Sequence, residues 1–250
     1  MEEGHLPVLA EEVILMLAPG PDSLLIDATV GGGGHAERIL EATSPSGRLL
    51  GLDADAAAIA RVRRRLRRFT DRLVLRRANF RDLARVAPSA GFAAVDGILL
   101  DLGLSSQQLA DRRRGFGIRA GGPLDMRFDP RTGRPAADLV NGLSRDELAT
   151  LFRRYGEEPA AGRIAAAIVR ARAAGPIETS DELAAICAEA APAPPRGRRP
   201  IHPATRVFQA LRIAVNDELG ELDRFLAEGW RLLRPGGRGG RVARRSRGWG

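Results

Sequence analysis

Leu24-Leu25-Ile26-Asp27-Ala28-Thr29-Val30-Gly31-Gly32-Gly33-Gly34-His35 is the stretch whose reading decides the fold. A short apolar run leads directly into four glycines, and a helical pattern begins near His35. Without a Cβ, glycine turns tightly and lets backbone N–H groups approach a ligand, while the following helix presents its positive end. Gly31, Gly33 and Ala36 satisfy the spacing G-x-G-x-x-A. Asp53 closes the next apolar run, twenty residues after Gly33, where an acid accepts hydrogen bonds from ribose hydroxyls. Loop and acid together predict an adenosine-containing cofactor on a Rossmann-type α/β domain. These residues alone leave a nicotinamide-dependent oxidoreductase open.

Working outward, three more apolar runs share this character: Arg48–Asp53, Leu73–Leu75 and Val95–Asp101. Near-continuous apolar runs alternating with helical segments predict a parallel sheet covered on both faces. Between the second and third runs, Ile59, Val62, Leu66 and Phe69 recur at helical spacing. Arg61, Arg63, Arg64, Arg65, Arg67 and Arg68 fill the rest of that helix as a solvated face. Residues 111–135, rich in Gly, Arg and Pro, read as a long functional loop. Ser144 with Glu147 and Thr179 with Glu182 are capping boxes that start helices. Between them Ile164, Ala167, Ile168 and Ala171 mark another helix, stopped by Gly175-Pro176. The segment Pro192–Pro200 reads as a stiff linker. A last long helix carries Val207, Ala210, Leu211, Ala214 and Val215 on one face and Arg206, Gln209, Arg212 and Asn216 on another. After Arg234-Pro235-Gly236-Gly237 a further strand is due, but the Arg/Gly-rich end shows no buried-strand pattern.

The 250 residues carry a formal charge of +8, yet residues 231–250 hold seven arginines and no acid, leaving 32 arginines against 31 acids in the rest. The body is therefore nearly neutral, and net charge gives little support to a nucleic-acid partner. No run is long and apolar enough to span a membrane, no secretory pattern opens the chain, and the single Cys187 suits a reducing, cytoplasmic setting as a buried filler. His5 and His202 read as structural, and no cluster suggests a metal.

Two acids tilt the cofactor toward S-adenosylmethionine. Asp27, closing the first run, suits a ligand with a cationic amino and sulfonium end. Asp101 closes the fourth run at the carboxyl edge of the sheet, where such domains bind substrates. The polar loop after it, Leu102-Gly103-Leu104-Ser105-Ser106-Gln107-Gln108, could orient an exocyclic amine, which attacks well only as its proton is drawn away. Asp101, Ser105 and Ser106 are the candidates for that role.

The chain resembles the bacterial 16S ribosomal RNA cytosine-N4 methyltransferases, the RsmH (formerly MraW) family. The resemblance rests on His5–Val8, "DATVGGGGH" (27–35), "GRLLGLDAD" (47–55), "VDGILLDLGLSSQQL" (95–109), "RGFGIRAGGPLDMRFDP" (114–130), "YGEE" (155–158) and "HPATRVFQALRIAVNDEL" (202–219). It implies a Rossmann-like class I methyltransferase sheet with an inserted helical subdomain. By boundaries, residues 1–114 and 204–237 would form the S-adenosylmethionine-binding domain, 115–203 the inserted loop and helical substrate subdomain, and 238–250 a disordered Arg/Gly tail. It implies N4-methylation of one cytidine in the decoding region of 16S ribosomal RNA in the small subunit, with cofactor contacts at Gly33, Gly34, His35, Asp53, Phe80, Asp101 and Gln108. Phe80 would lie against the adenine, and the Asp125 loop and the stripe of the 204–219 helix would face the substrate. A homodimer is left open. The family continues after "LRPGGR" with a strand and a motif close to "ISFHSLEDR", which the Arg/Gly end replaces. Later sheet strands are therefore expected to be missing, as in a truncated or frame-shifted chain, whose alternative fate is to bind RNA without turnover.

Overall fold

The computed structural model describes residues 7, 9–118, 121–192 and 202–243, which fall in two compact units, one up to 103 together with 219–243 and the other within 104–218. His5, the linker residues 193–200 and the tail 244–250, for which the sequence raised expectations, lie outside the described residues. In chain order the elements are α1 (Ala10–Leu17), β1 (Leu24–Asp27), α2 (Gly34–Ala42), β2 (Arg48–Asp53), α3 (Ala56–Arg65), β3 (Leu73–Arg77), α4 (Leu83–Ser89) and β4 (Val95–Leu102). There follow α5 (Ser106–Ala110), α6 (Ala136–Gly142), α7 (Arg145–Gly156), α8 (Ala161–Arg172), α9 (Ser180–Ala190), α10 (Thr205–Val215), α11 (Glu218–Glu228) and β5 (Leu233–Ala243).

The first unit is built on a five-stranded sheet in the order β3-β2-β1-β4-β5, and every neighbouring pair is parallel. The apolar runs form its centre as expected. Leu25, Ile26, Leu49, Leu50, Ile98 and Leu99 are fully buried, because helices cover both faces of β1, β2 and β4. One layer packs Val13, Leu17, Ile39, Leu40, Ile59 and Val62 of α1, α2 and α3 against the sheet, and the other packs Leu83, Val86, Leu222 and Phe225 of α4 and α11. Asp96 stitches the middle: its carboxylate accepts from the Leu24 N–H at 2.8 Å and pairs with Arg234 of β5 at 3.0 Å.

Residues 233–243 correct the expectation of a missing strand and a disordered tail beginning at 238. They form β5, whose Arg238–Ala243 pair in register with Gly97–Leu102. The strand escapes a hydrophobicity reading because it is an edge strand held by backbone hydrogen bonds, so it needs no apolar run. Its glycines make room for bulky partners from elsewhere. A Cβ on Gly239 would overlap the Trp230 ring, and one on Gly240 would overlap the Met16 side chain on the opposite face. The register shifts between Val95 and Gly97, opposite the expected Pro235-Gly236-Gly237 turn, where Gly236 has φ +83°.

The second unit starts at Leu104 and runs to Glu218, wider than residues 115–203, and α10 belongs to it rather than to the sheet unit. The reason is the apolar face of α10. Val207, Phe208, Ala210 and Leu211 join Phe152, Ile164 and Leu183 in the helical core, and Gly156 lets α7 meet the backbone of α10 at Arg206. Both capping boxes are present at the starts of α7 and α9. Cys187 is buried in this core, and burial pushes its thiol well above the usual range.

The long loop is built rather than free. Phe116 stacks on Phe128 at 5.6 Å, and Arg114 donates to the Arg127 and Phe128 carbonyls. Gly115 and Gly122 stand where a Cβ would overlap the carbonyls of Pro123 and Arg112. Burial would raise the Asp125 carboxyl, but its hydrogen bonds to Arg127 outweigh this and hold it below the usual range. Two residues of the polar stripe on α10 are engaged inside the unit. Asn216 exchanges hydrogen bonds with Phe128 N–H and the Met126 carbonyl, and Arg212 pairs with Glu218 at 2.6 Å.

Gly239→Val tests the edge packing. The added side chain meets a rigid indole, so the variant should lose roughly 1–3 kcal/mol of stability, as overpacked sites do, read from denaturant unfolding. An unchanged midpoint would show that β5 does not dock on Trp230.

Candidate active site

Strand order reverses between β1 and β4, the kind of switch point beyond whose carboxyl ends doubly wound sheets bind ligands. The glycine loop turns there. Gly31 (φ +50°) and Gly33 (φ +81°) adopt left-handed backbone, and Gly33 caps α2. The loop is held from three sides: the Asp53 carboxylate accepts from the Gly31 N–H at 2.9 Å, the Val30 N–H donates to the Leu52 carbonyl at 2.8 Å, and Arg65 reaches the Gly32 carbonyl at 3.2 Å. Arg65 and Arg68 also bind Glu37 of α2 at 2.7 and 3.0 Å. Two arginines read as a solvated face thus clasp the loop and its helix.

Behind the loop sits an acidic cluster. Asp27, at the end of β1, is almost wholly buried. Burial pushes its carboxyl up to about 7, against the opposing pull of His35 and the Thr29 N–H, with Asp101 and Asp53 adding to the rise. Asp53 is raised to about 6, again by burial, although the Asp55 and Gly31 N–H groups pull it back. Asp101 is fixed by its own N–H, which donates to Thr29 Oγ1 at 2.6 Å, and its carboxylate lies 3.6 Å from His35 Nε2. His35 is buried, and neither ring nitrogen has a hydrogen-bond partner among the described residues.

This arrangement fits a cofactor carrying both a cation and a carboxylate. Three carboxylates drawn together are relieved by a positive ligand. The first N–H groups of α2 and an unsatisfied imidazole offer donors to a negative one. Asp53 already serves the loop, yet each of its oxygens retains a lone pair for a ribose hydroxyl.

Phe80 stands in a short helical turn past β3, half-buried and edge-on to Phe225 at 6.2 Å. Its turn is anchored by a residue that no sequence motif points to. Glu221 of α11, buried in the sheet unit, accepts from Asn79 at 2.6 Å and pairs with Arg81 at 3.1 Å. Glu221 lies 142 positions from Asn79, and no local pattern announces it. Thr29, within the quoted stretch, was legible only as part of a motif.

Gly33, Gly34, His35, Asp53, Phe80 and Asp101 all belong to the sheet unit, whereas Ser105, Ser106 and Gln108 belong to the helical unit. There Ser105 and Gln108 form a reciprocal capping box on α5: Ser105 Oγ accepts from the Gln108 N–H, and Gln108 Oε1 accepts from the Ser105 N–H. Local structure accounts for that pair.

The sequence pattern of the MraW methylase family matches residues 2–246. The chain belongs to this family. Among its relatives is "Ribosomal RNA small subunit methyltransferase H" of Thermomicrobium roseum, 58% identical over 94% of this chain and 71% of that protein. Proteins of the same name from Syntrophotalea carbinolica and Geobacter sulfurreducens are 51% and 50% identical, over 94% and 96% of this chain and 74% and 76% of theirs. A solved structure of a putative rRNA methylase from Clostridium thermocellum is 23% identical, with TM-score 0.34 over 39% of this chain and 51% of that chain. This member of the MraW family uses S-adenosylmethionine, the methyl donor of such methylases. Among the described residues, no helix is long and apolar enough to cross a membrane.

The raised Asp27 carboxyl predicts a pH dependence. The folded chain keeps this proton up to about pH 7, the unfolded chain only to about 3.8. The folded state therefore binds more protons in that window, and stability falls as pH rises through it. Asp27→Asn should flatten this fall and raise the melting temperature near pH 8, where the native carboxylate is charged and buried. A cationic ligand favours the charged form. S-adenosylmethionine should thus bind the parent chain more tightly as pH rises through about 7, with proton release visible by calorimetry in buffers of different ionisation heat. An affinity that does not change with pH would remove Asp27 from the cofactor site.

Proposed function

We propose that this chain transfers a methyl group from S-adenosylmethionine to the N4 amine of one cytidine in the decoding region of 16S ribosomal RNA in the small subunit. The observation that carries the reading is the buried cluster of Asp27, His35 and Asp101 at the sheet's switch point. The names of the relatives support the substrate. In this reading the sheet unit takes the cofactor and the helical unit takes the RNA.

The roles follow from the chemistry of each side chain. Gly33, Gly34 and His35 at the start of α2 offer donors to the cofactor's carboxylate. Asp53 accepts from ribose, and Phe80 lies against the adenine. When bound, S-adenosylmethionine supplies an electrophilic methyl carbon on a sulfonium. The cytosine amine is a poor nucleophile because its lone pair is delocalised into the ring, so its attack strengthens as a proton leaves. In this role Asp101 Oδ2, which lies 3.6 Å from His35 Nε2, accepts a hydrogen bond from that amine as its proton leaves. The target base must be unstacked to reach the cofactor, and positioning supplies most of the acceleration.

Incubation with unmethylated small subunits and methyl-labelled S-adenosylmethionine, followed by nucleoside chromatography, tests the reading. Label should appear in N4-methylcytidine, and Asp101→Asn should lower kcat by at least about 10²-fold, more than it weakens cofactor binding. Label in another nucleoside, or none from a folded chain that binds the cofactor, would overturn it.

A further inference from the structure

The helical unit carries a cleft of about 630 Å³ between the start of α7, the outer face of α8 and the end of α9. Its charged lining is all of one sign. Arg145, Arg163 and Arg170 project from α7 and α8, and the other lining residues are alanines, a glycine and a proline, with no carboxylate among them. Arg163, Ala166 and Arg170 fall on one stripe of α8, so two guanidinium groups flank a small residue on the same helix face. A fourth arginine, Arg153 of α7, brings a guanidinium nitrogen within 3.8 Å of the space a Cβ on Gly162 would take.

These charges are not consumed by the fold. Arg163 and Arg170 are exposed, and neither has an ion pair among the described residues. Arg145 meets only its neighbour Asp146 at 3.5 Å, with both side chains exposed, a contact of little worth. The Glu158 carboxylate, next to the lining residues Pro159 and Ala160 in sequence, is buried and accepts from the Ala160 N–H at 2.8 Å. Elsewhere in the same unit arginines are engaged: Arg127 with Asp125, Arg131 with Asp129, Arg212 with Glu218. The weakly held set is gathered around one concave surface.

We infer that this cleft is a binding site for the phosphodiester backbone of single-stranded RNA, held by Arg163 and Arg170 with Arg145 and Arg153 at its margin. Guanidinium forks match phosphate oxygens in a bidentate way that ammonium groups do not. The small residues between them let a backbone approach closely, and a lining without base-reading amides or aromatic rings suits contacts that position a strand rather than read its sequence. The site lies within the helical unit alone. It rests on the proposed RNA substrate for its ligand, but on no particular methylated nucleotide.

The test uses the full chain and a short fluorescein-labelled single-stranded RNA, titrated by fluorescence anisotropy across a series of potassium chloride concentrations. The variant R163E/R170E should bind at least about tenfold more weakly. Its plot of log affinity against log salt should be shallower by roughly 1.4, about 0.7 for each phosphate of a single strand that the variant no longer neutralises. S-adenosylmethionine affinity and melting temperature should match the parent. R163K/R170K, which keeps the charge, should recover most of the affinity, and R163Q/R170Q should fall between.

RNA affinity and salt slope within twofold of the parent in R163E/R170E would overturn the inference. So would unchanged RNA binding together with weakened binding to intact small subunits, which would assign the cleft to a ribosomal protein. A parent chain that binds RNA through the cleft but labels no cytidine would sink the proposed reaction and leave the cleft standing. Methylation by the parent with RNA affinity indifferent to the arginines would do the reverse.

Discussion

Burying Asp27 at the point where β1 and β4 part company is the constraint around which the sheet unit is arranged. Strand burial on both faces forces the carboxyl into a dry site, where it is 1% exposed and accepts from the Thr29 N–H. Its ionised form is therefore costly until a positive group arrives. The neighbouring pieces follow from the same geometry. Thr29 fixes Asp101 beside His35, Asp53 fixes the first glycine of the loop, and Arg65 closes over the second. A site so charged and so enclosed is poorly suited to an apolar ligand and well suited to one that brings its own cation.

Much of this was legible in the sequence because burial writes a pattern. β1, β2 and β4 are covered on both faces and must be apolar along their length. The starts of α7 and α9 carry reciprocal side-chain caps at fixed spacing, and α8 and α10 repeat their apolar faces at helical period. Glycine and acid spacing placed Gly33 at the turn before α2, and Asp53 and Asp101 at the ends of β2 and β4, since turn geometry and strand ends constrain residue type directly.

What stayed hidden depends on partners far away in the chain. β5 has little apolar character of its own, because Trp230 and Met16 supply the bulk that its glycines admit. Glu221 gives no local signal of its hold on the Phe80 turn, and Arg65 looks like any arginine on a basic helix until Glu37 and Gly32 are brought beside it. The stripe on α10 shows the same limit: helical spacing marks Arg206, Gln209, Arg212 and Asn216 as a polar face, and only the structure shows that Asn216 and Arg212 spend their groups on the 126–128 loop and on Glu218. Periodicity reports which side of a helix is polar, not what that polarity meets.

The pairing of β5 with β4 bears on the order in which the chain assembles. Asp96 and Arg234, which meet across these strands, are 138 positions apart, and an entire helical unit with its own core is threaded between them. Closing so long a loop is entropically dear, whereas the intervening helices form from near neighbours. The edge strand thus completes a sheet whose middle, β1 through β4, lies within the first hundred or so residues, and its arrival joins the two ends of the sheet unit around an insertion able to fold first.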